Sequence, residues 1–283
     1  MFKNIHKLVW AFDAEWVPNP EAGRRLHDLP PETPDLDVMR VLWKQGGATE
    51  ENPQPYLKTI LCRMVSIAAV QRHAHSDGRI TLSLLSLPRD PAAPQSEKEL
   101  IQRFLGAIGE RHPQLVGYNS LAADLRILTQ RAICLGIQAA AFAKRPAKPW
   151  EGVDYFAKGG DWHIDLKEYA SPGWGPGTPS LHELAVLSGI PGKMDASGQD
   201  VPEMWLAGQL DQIIAYNERD ALTTYLVWLR MAHFAGHFTP DEYHQEQLRT
   251  RELIRRESAH KPHLLDYLAA WDRLSGTDTA SPA

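Results

Sequence analysis

Leu8-Val9-Trp10-Ala11-Phe12-Asp13-Ala14-Glu15 sets five consecutive apolar residues directly before a pair of acids. An unbroken apolar run of this length marks a central strand covered on both faces, because a half-exposed strand would alternate. Strand side chains point to opposite faces in turn, so Asp13 and Glu15 share one face and Ala14 takes the other. A D-x-E arises by chance about once in a chain this long, so the pair alone decides little. Its position at the end of a buried strand is what sets it apart.

Outward from this strand, residues 17–58 carry many prolines, two adjacent glycines and few periodic apolar positions, and read as a long loop or insertion. Arg63 to Val70 then reads as a second strand. Ile80, Leu82 and Leu84 alternate with Thr81 and Ser83 as a third, with Ser76-Asp77-Gly78 as the turn, so the first three strands form an antiparallel meander. Ser96 and Glu99 make a capping box ahead of Leu100, Ile101, Phe104, Leu105 and Ile108, spaced as an amphipathic helix. A short strand from Leu115 to Tyr118 follows, then a helix from about Leu121 to Leu135 that stops at Gly136. Residues 143–162 and 171–179 read as loops flanking a strand end at His163-Ile164-Asp165-Leu166. Ser180 and Glu183 form a second capping box, and a longer helix spans about Leu210 to Met231. Thr239-Pro240-Asp241-Glu242 opens a charged helix through roughly Glu257. Leu264, Leu268 and Trp271 make a last apolar stripe before a frayed tail over 275–283. The order is that of an α/β fold with a mixed sheet.

With 283 residues, 43% of them hydrophobic, the chain can bury a substantial core in one large domain with appended segments. The longest apolar stretch near the N-terminus, Leu8 to Phe12, is far short of a membrane span or a secretory signal core, so a cytoplasmic protein without membrane attachment is expected. Cys62 and Cys134 lie in apolar runs with no CxxC or His spacing and read as buried free thiols. A formal charge of −5 lacks the Lys/Arg excess of a typical nucleic-acid binder. It excludes little, because a cluster of acids holding divalent cations would be neutralised locally.

Three further acidic or aromatic positions join the first pair. Asp124 lies five residues after Asn119, just inside the predicted helix, where an acid is also favoured by the helix dipole alone. Tyr216 and Asp220 are four apart on one helix face. Asp220 is followed by Ala221, Leu222, Tyr225 and Leu226, and an unpaired carboxylate buried beside such a stripe needs a cation or donors.

Phe12-Asp13-Ala14-Glu15, Gly117-Tyr118-Asn119 with Asp124, and Tyr216-Asn217-Glu218-Arg219-Asp220 resemble the three exonuclease motifs of the DEDDy superfamily, which has the ribonuclease H-like fold. Ile164-Asp165-Leu166, Ser180-Leu181-His182-Glu183-Leu184, Gly189-Ile190-Pro191-Gly192-Lys193 and residues Thr224 to Arg230 are similar to the predicted 3′-to-5′ exonucleases related to the proofreading domain of family B DNA polymerases. The resemblance covers roughly residues 7–232. It implies a mixed five-stranded sheet flanked by helices, with a DEDDy exonuclease domain over 1–235, the 17–58 insertion after strand one, and a C-terminal helical extension and tail over 236–283.

The resemblance also implies a chemistry. Asp13, Glu15, Asp124 and Asp220 would hold two divalent cations, Mg²⁺ or Mn²⁺, which prefer oxygen ligands. Tyr216 would orient the attacking water. Trp16 stands where the family has a threonine or another smaller residue, and either stacks on the terminal base or packs in the core. Asn119 and Lys193, in matched motifs, join it as substrate-binding positions. The expected partner is the 3′ end of single-stranded nucleic acid, DNA first. RNA or short oligonucleotides, and a non-catalytic binding module, are the alternatives.

Other signals point elsewhere. His233 and His237 are spaced as a metal pair but lack a neighbouring glutamate, and read as a helix end. His73 and His75 read as exposed residues beside a hairpin turn. Gly173, Gly175 and Gly177 have no phosphate-loop spacing. Arg249, Arg251, Arg255 and Arg256 are mixed with glutamates, as on a solvated helix face.

Overall fold

The computed structural model describes residues 2–93, 95–148, 150–171, 175, 177–194 and 198–277. In chain order the elements are β1 (Leu8–Pro18), α1 (Pro20–Leu26), α2 (Asp35–Gln45), β2 (Cys62–Ala74), β3 (Ile80–Leu87), α3 (Glu97–Arg111), β4 (Gln114–Gly117), α4 (Asp124–Cys134), α5 (Ala140–Ala143), β5 (His163–Asp165), α6 (Leu166–Ala170), α7 (Leu181–Leu187), α8 (Val201–Leu206), α9 (Leu210–Phe234), α10 (Pro240–Glu257) and α11 (His263–Thr277). The sheet order is β3-β2-β1-β4-β5. Strand β2 runs antiparallel to its neighbours β1 and β3, while β4 pairs parallel with β1 and β5 parallel with β4. This is the mixed five-stranded, helix-flanked sheet that the resemblance implies.

The alternation along β1 builds two cores. Val9 and Ala11 pack with α9, α10 and α11, whereas Trp10, Phe12 and Ala14 pack with α3 and α4. Asp13 and Glu15 continue the odd-numbered face and so emerge toward α9. The β1–β2 register shifts between Glu15 and Trp16. Such a bulge re-aims the next side chain, and Trp16 packs against the α3–α4 core.

The region over 17–58 differs from the expected loop. Strand β1 runs on to Pro18, and two helices follow it. Its prolines mark helix starts: Pro20 opens α1, and Pro34 precedes α2. Val38, Met39, Leu42 and Trp43 bury the inner stripe of α2. Met39 and Trp43 share a third core cluster with Val17, Val65, Val201 and Tyr216. The segment therefore supports the α9 residue that sequence motifs single out.

Smaller differences have local causes. Helix α4 starts at Asp124 instead of near Leu121, because Asn119 is held left-handed at φ 63° and the chain needs a turn before helix geometry begins. Strand β2 extends through His73, which is half-buried and packed at a tilt against His75 with ring centroids 3.8 Å apart, so neither is a freely exposed loop residue. Cys62 is buried as expected, but Cys134 is exposed on the outer face at the end of α4. Helix α11 continues through Thr277 where a tail was expected. The rest of that tail, 278–283, and residues 172–174 and 176 of the glycine-rich loop lie outside the described residues.

Helices α10 and α11 bury Tyr243, Leu253, Ile254, Leu264, Tyr267 and Trp271 in the same core as α9. A buried ion pair fastens α10 to the sheet: Arg72 on β2 reaches Glu246 at 2.8 Å, and the Tyr225 hydroxyl donates to the other Glu246 oxygen at 3.1 Å. All three capping boxes form, at Ser96, Ser180 and Thr239. Among the described residues no helix is long and apolar enough to cross a membrane.

Candidate active site

The β1–β4 ladder ends at Ala11 and Val116, which leaves the far end of β1 unpaired on that side. Asp124 occupies the opening. Its Oδ1 accepts from the Ala14 N–H at 3.1 Å, so the acid that opens α4 is bonded to the backbone between Asp13 and Glu15. The turn that delivers it is held by buried Asp165, which accepts from the backbone N–H groups of Asn119 (2.8 Å), Leu121 (3.0 Å) and Lys167 (3.1 Å). Gly117 is required there, because a Cβ would lie 2.4 Å from the Ser120 side chain.

Helix α9 brings the remaining groups. Asp220 meets the first pair: one oxygen each of Asp13, Glu15 and Asp220 lie within 4.8 Å of one another. Asp124 is not in that trio and sits beside it through its bond to Ala14. Tyr216, one turn before Asp220, sets its hydroxyl beside the Asp220 carboxylate. Asn217, fully buried, donates from Nδ2 to Asp13 Oδ2 at 2.7 Å and accepts from the Ser66 hydroxyl at 2.9 Å. Glu97 and Arg131, a buried bidentate pair, tie α4 to α3 and so fix the helix that carries Asp124.

Burial and mutual repulsion disfavour the ionised forms of these carboxyls. Burial, then repulsion from Asp124, Glu15 and Asp220, holds the Asp13 carboxyl well above the usual range. Glu15 is raised likewise by burial and by Asp220 and Asp124. Burial pushes Asp124 up to about 7 and Asp220 to about 6, against hydrogen bonds that favour their ionised forms. Burial and the neighbouring acids also raise the Tyr216 phenol, which stays protonated at neutral pH. A buried set of hard oxygen donors in mutual repulsion fits divalent magnesium or manganese and offers no nitrogen or sulfur to a softer metal.

The acids lie in a cleft of about 1000 Å³. Trp16, Asn119 and Lys193 line it as well, so every residue singled out in the sequence reaches one cavity. Trp16 is half-buried: it packs against the α3–α4 core and also faces the cleft. Asn119 Oδ1 accepts from Lys167 Nζ at 3.2 Å. The Lys193 backbone N–H donates to His182 Nδ1 at 2.9 Å. Asn217 and Asp165 stood inside quoted motifs without an assigned role. Asp165 carried a signal, an acid at a strand end that caps the following helix, whereas nothing in spacing announced Asn217.

Fold and cleft together define an α/β protein with an oxygen-donor acidic site at the carboxyl ends of β1 and β4. Residues 54–271, about three quarters of the chain, match a family model described as a predicted 3′-5′ exonuclease related to the exonuclease domain of PolB, and the chain belongs to that family. The match contains Asn119, Asp124, Lys193, Tyr216 and Asp220, and begins after Asp13, Glu15 and Trp16. Among solved structures, the family B DNA polymerase of the hyperthermophilic archaeon Pyrobaculum calidifontis is similar over 79% of this chain and 25% of its own, with 18% identity and a TM-score of 0.44. The chain thus spans about a quarter of that polymerase's length. No curated protein matches it.

Proposed function

We propose that this protein is a metal-dependent 3′-to-5′ exonuclease that removes nucleotides from single-stranded nucleic acid, DNA in the first instance. The observation that carries the reading is the meeting of Asp13, Glu15 and Asp220 oxygens within 4.8 Å, from a strand and a helix about 200 residues apart in sequence. Asp13, Glu15, Asp124 and Asp220 would hold two Mg²⁺ or Mn²⁺ ions. Such a pair supplies Lewis-acid activation of water and neutralises charge on the reacting phosphate.

The chain's own groups do the positioning. Asn217 occupies one oxygen of Asp13 and leaves the other for the site. The Tyr216 hydroxyl, kept protonated beside Asp220, cannot serve as a base at neutral pH. Its oxygen lone pairs remain to accept a hydrogen from the attacking water and so orient it. Lys193 brings positive charge toward Glu15 and Asp220 and is suited to the substrate's phosphate. Trp16 offers its cleft-facing edge to the terminal base. Among the described residues that line the cleft none is identified as a 2′-hydroxyl sensor, so DNA over RNA is a preference to be measured.

Incubation of a 5′-labelled single strand with Mn²⁺ tests the reading. Stepwise shortening from the 3′ end is expected, with Asp13→Asn slower by at least about a hundredfold, the scale on which single electrostatic groups register in catalysis. Equal rates in the two proteins would remove the site from the reaction. Competition between matched DNA and RNA strands ranks the substrates.

A further inference from the structure

Tyr56 is 90% exposed, yet it lines the same cleft as the four acids. Single exposed aromatic residues are ordinary on a protein surface. This one differs in how its backbone is held. Thr49 and Asn52 bond to each other twice, through Thr49 N–H to Asn52 O at 3.0 Å and Asn52 N–H to Thr49 Oγ1 at 3.1 Å. Pro55 fixes its own φ immediately before the tyrosine. Leu57, immediately after it, tucks so close to α2 that a Cβ on Gly46 would lie 2.7 Å from Leu57 Cδ2. The Thr59 hydroxyl then bonds to Gln130 of α4 at 2.8 Å. A rigid segment thus presents an uncovered ring beside the acidic site.

The charge in the cleft is on another side. Among the described residues that line it, the lysines are Lys167 and Lys193, and no arginine is present. Lys167 follows β5, whereas residues 52–57 lead into β2, and these strands lie on opposite sides of β1 in the sheet. A strand entering the cleft therefore meets the phosphate-attracting Lys167 on the β5 side and a stacking surface on the β2 side. A duplex, with its bases already stacked and paired, could not use such a surface.

We infer that Tyr56 is a stacking platform for an unpaired base of the bound strand, with Lys167 on the side that takes the phosphate backbone. This rests on the exonuclease reading above and names the substrate class as single-stranded nucleic acid gripped through its bases. The backbone on either side of the ring is braced before binding, so the loop itself loses little ordering entropy when a base lands there.

Affinity in Ca²⁺, read by fluorescence anisotropy, tests it with an oligothymidylate and with an abasic strand of equal length. Tyr56→Ala is expected to weaken oligothymidylate binding about tenfold, within the range for one base–aromatic stack, and to leave abasic-strand binding unchanged. Tyr56→Trp should restore the affinity. Equal affinities of Tyr56→Ala and the unmodified protein for oligothymidylate, or an equal loss on the abasic strand, would overturn the inference. Cleavage of the same oligothymidylate by the unmodified protein in Mn²⁺ separates the two levels. Cleavage with an unaltered Tyr56→Ala affinity sinks the platform alone; neither binding nor cleavage sinks the exonuclease reading with it.

Discussion

Asn217 Nδ2 lies 2.7 Å from Asp13 Oδ2, and its orientation is not free: Asn217 Oδ1 is taken by the Ser66 hydroxyl at 2.9 Å. The amide must therefore offer its donor to the carboxylate. Groups of this kind orient a metal ligand, and their loss lowers metal affinity by about 10- to 100-fold. Asn217→Ala is expected to weaken Mn²⁺ binding by that factor in calorimetry. An unchanged Mn²⁺ affinity in a folded variant would show that Asp13 needs no such support.

The acids predict how stability depends on pH. Asp124 and Asp220 rise from 3.8 to about 7 and about 6 in the folded protein, so between those limits the folded state binds protons that the unfolded state does not. Stability of the metal-free protein must then fall as pH rises from about 4 to 7. His163, buried and lowered from 6.5 to about 4, acts in the opposite sense, losing stability as pH drops through that window. Comparison with Asp220→Asn cancels the histidine. In EDTA the gain in Tm from Asp220→Asn should be larger at pH 8 than at pH 5, and saturating Mn²⁺ should reverse its sign. A pH-independent difference would remove the repulsion inferred for the site.

Tyr216→Phe keeps the ring in its contacts with Met39, Val65 and Val201 and removes only the hydroxyl. The expected result is a fall in kcat of about a hundredfold, typical of a misplaced reactant, with KM and Tm little changed. The shape of the pH–rate profile should also stay the same, because the phenol does not titrate near neutrality. Loss of a basic or acidic limb in the variant would assign Tyr216 a proton-transfer role instead.

Glu246→Ala isolates the link between α10 and the sheet. It leaves the Arg72 guanidinium buried without its carboxylate and takes away the acceptor of the Tyr225 hydroxyl. Breaking one partner of a buried pair is worth about 3–5 kcal/mol, measurable as a lower urea midpoint. A loss under about 1 kcal/mol would mean that α10 is held by its apolar contacts alone.

Much of this was legible in the sequence because it followed from periodicity and local chemistry. The apolar run before Asp13, the alternation over Ile80 to Leu84 and the three Ser/Thr-x-x-Glu boxes each predicted an element that formed. The helices within 17–58 are hidden in the sequence because proline marks loops as well as helix starts, and here it opens α1 and precedes α2. Asp13, Glu15, Asp124, Tyr216 and Asp220 were found as a set through motif resemblance, since spacing cannot tell which strand end faces which helix. Asn217 and Tyr56 escaped for the opposite reason. Their neighbours come from Ser66, Gly46 and the cleft, contacts that only the folded chain creates.

Diffraction from crystals soaked with Mn²⁺ and a nucleoside monophosphate tests the central claim most directly. Two anomalous peaks about 3.5 to 4 Å apart, bound by Asp13, Glu15, Asp124 and Asp220, are the predicted result. Well-ordered nucleotide with no manganese at these carboxylates, or manganese held only elsewhere, would contradict it.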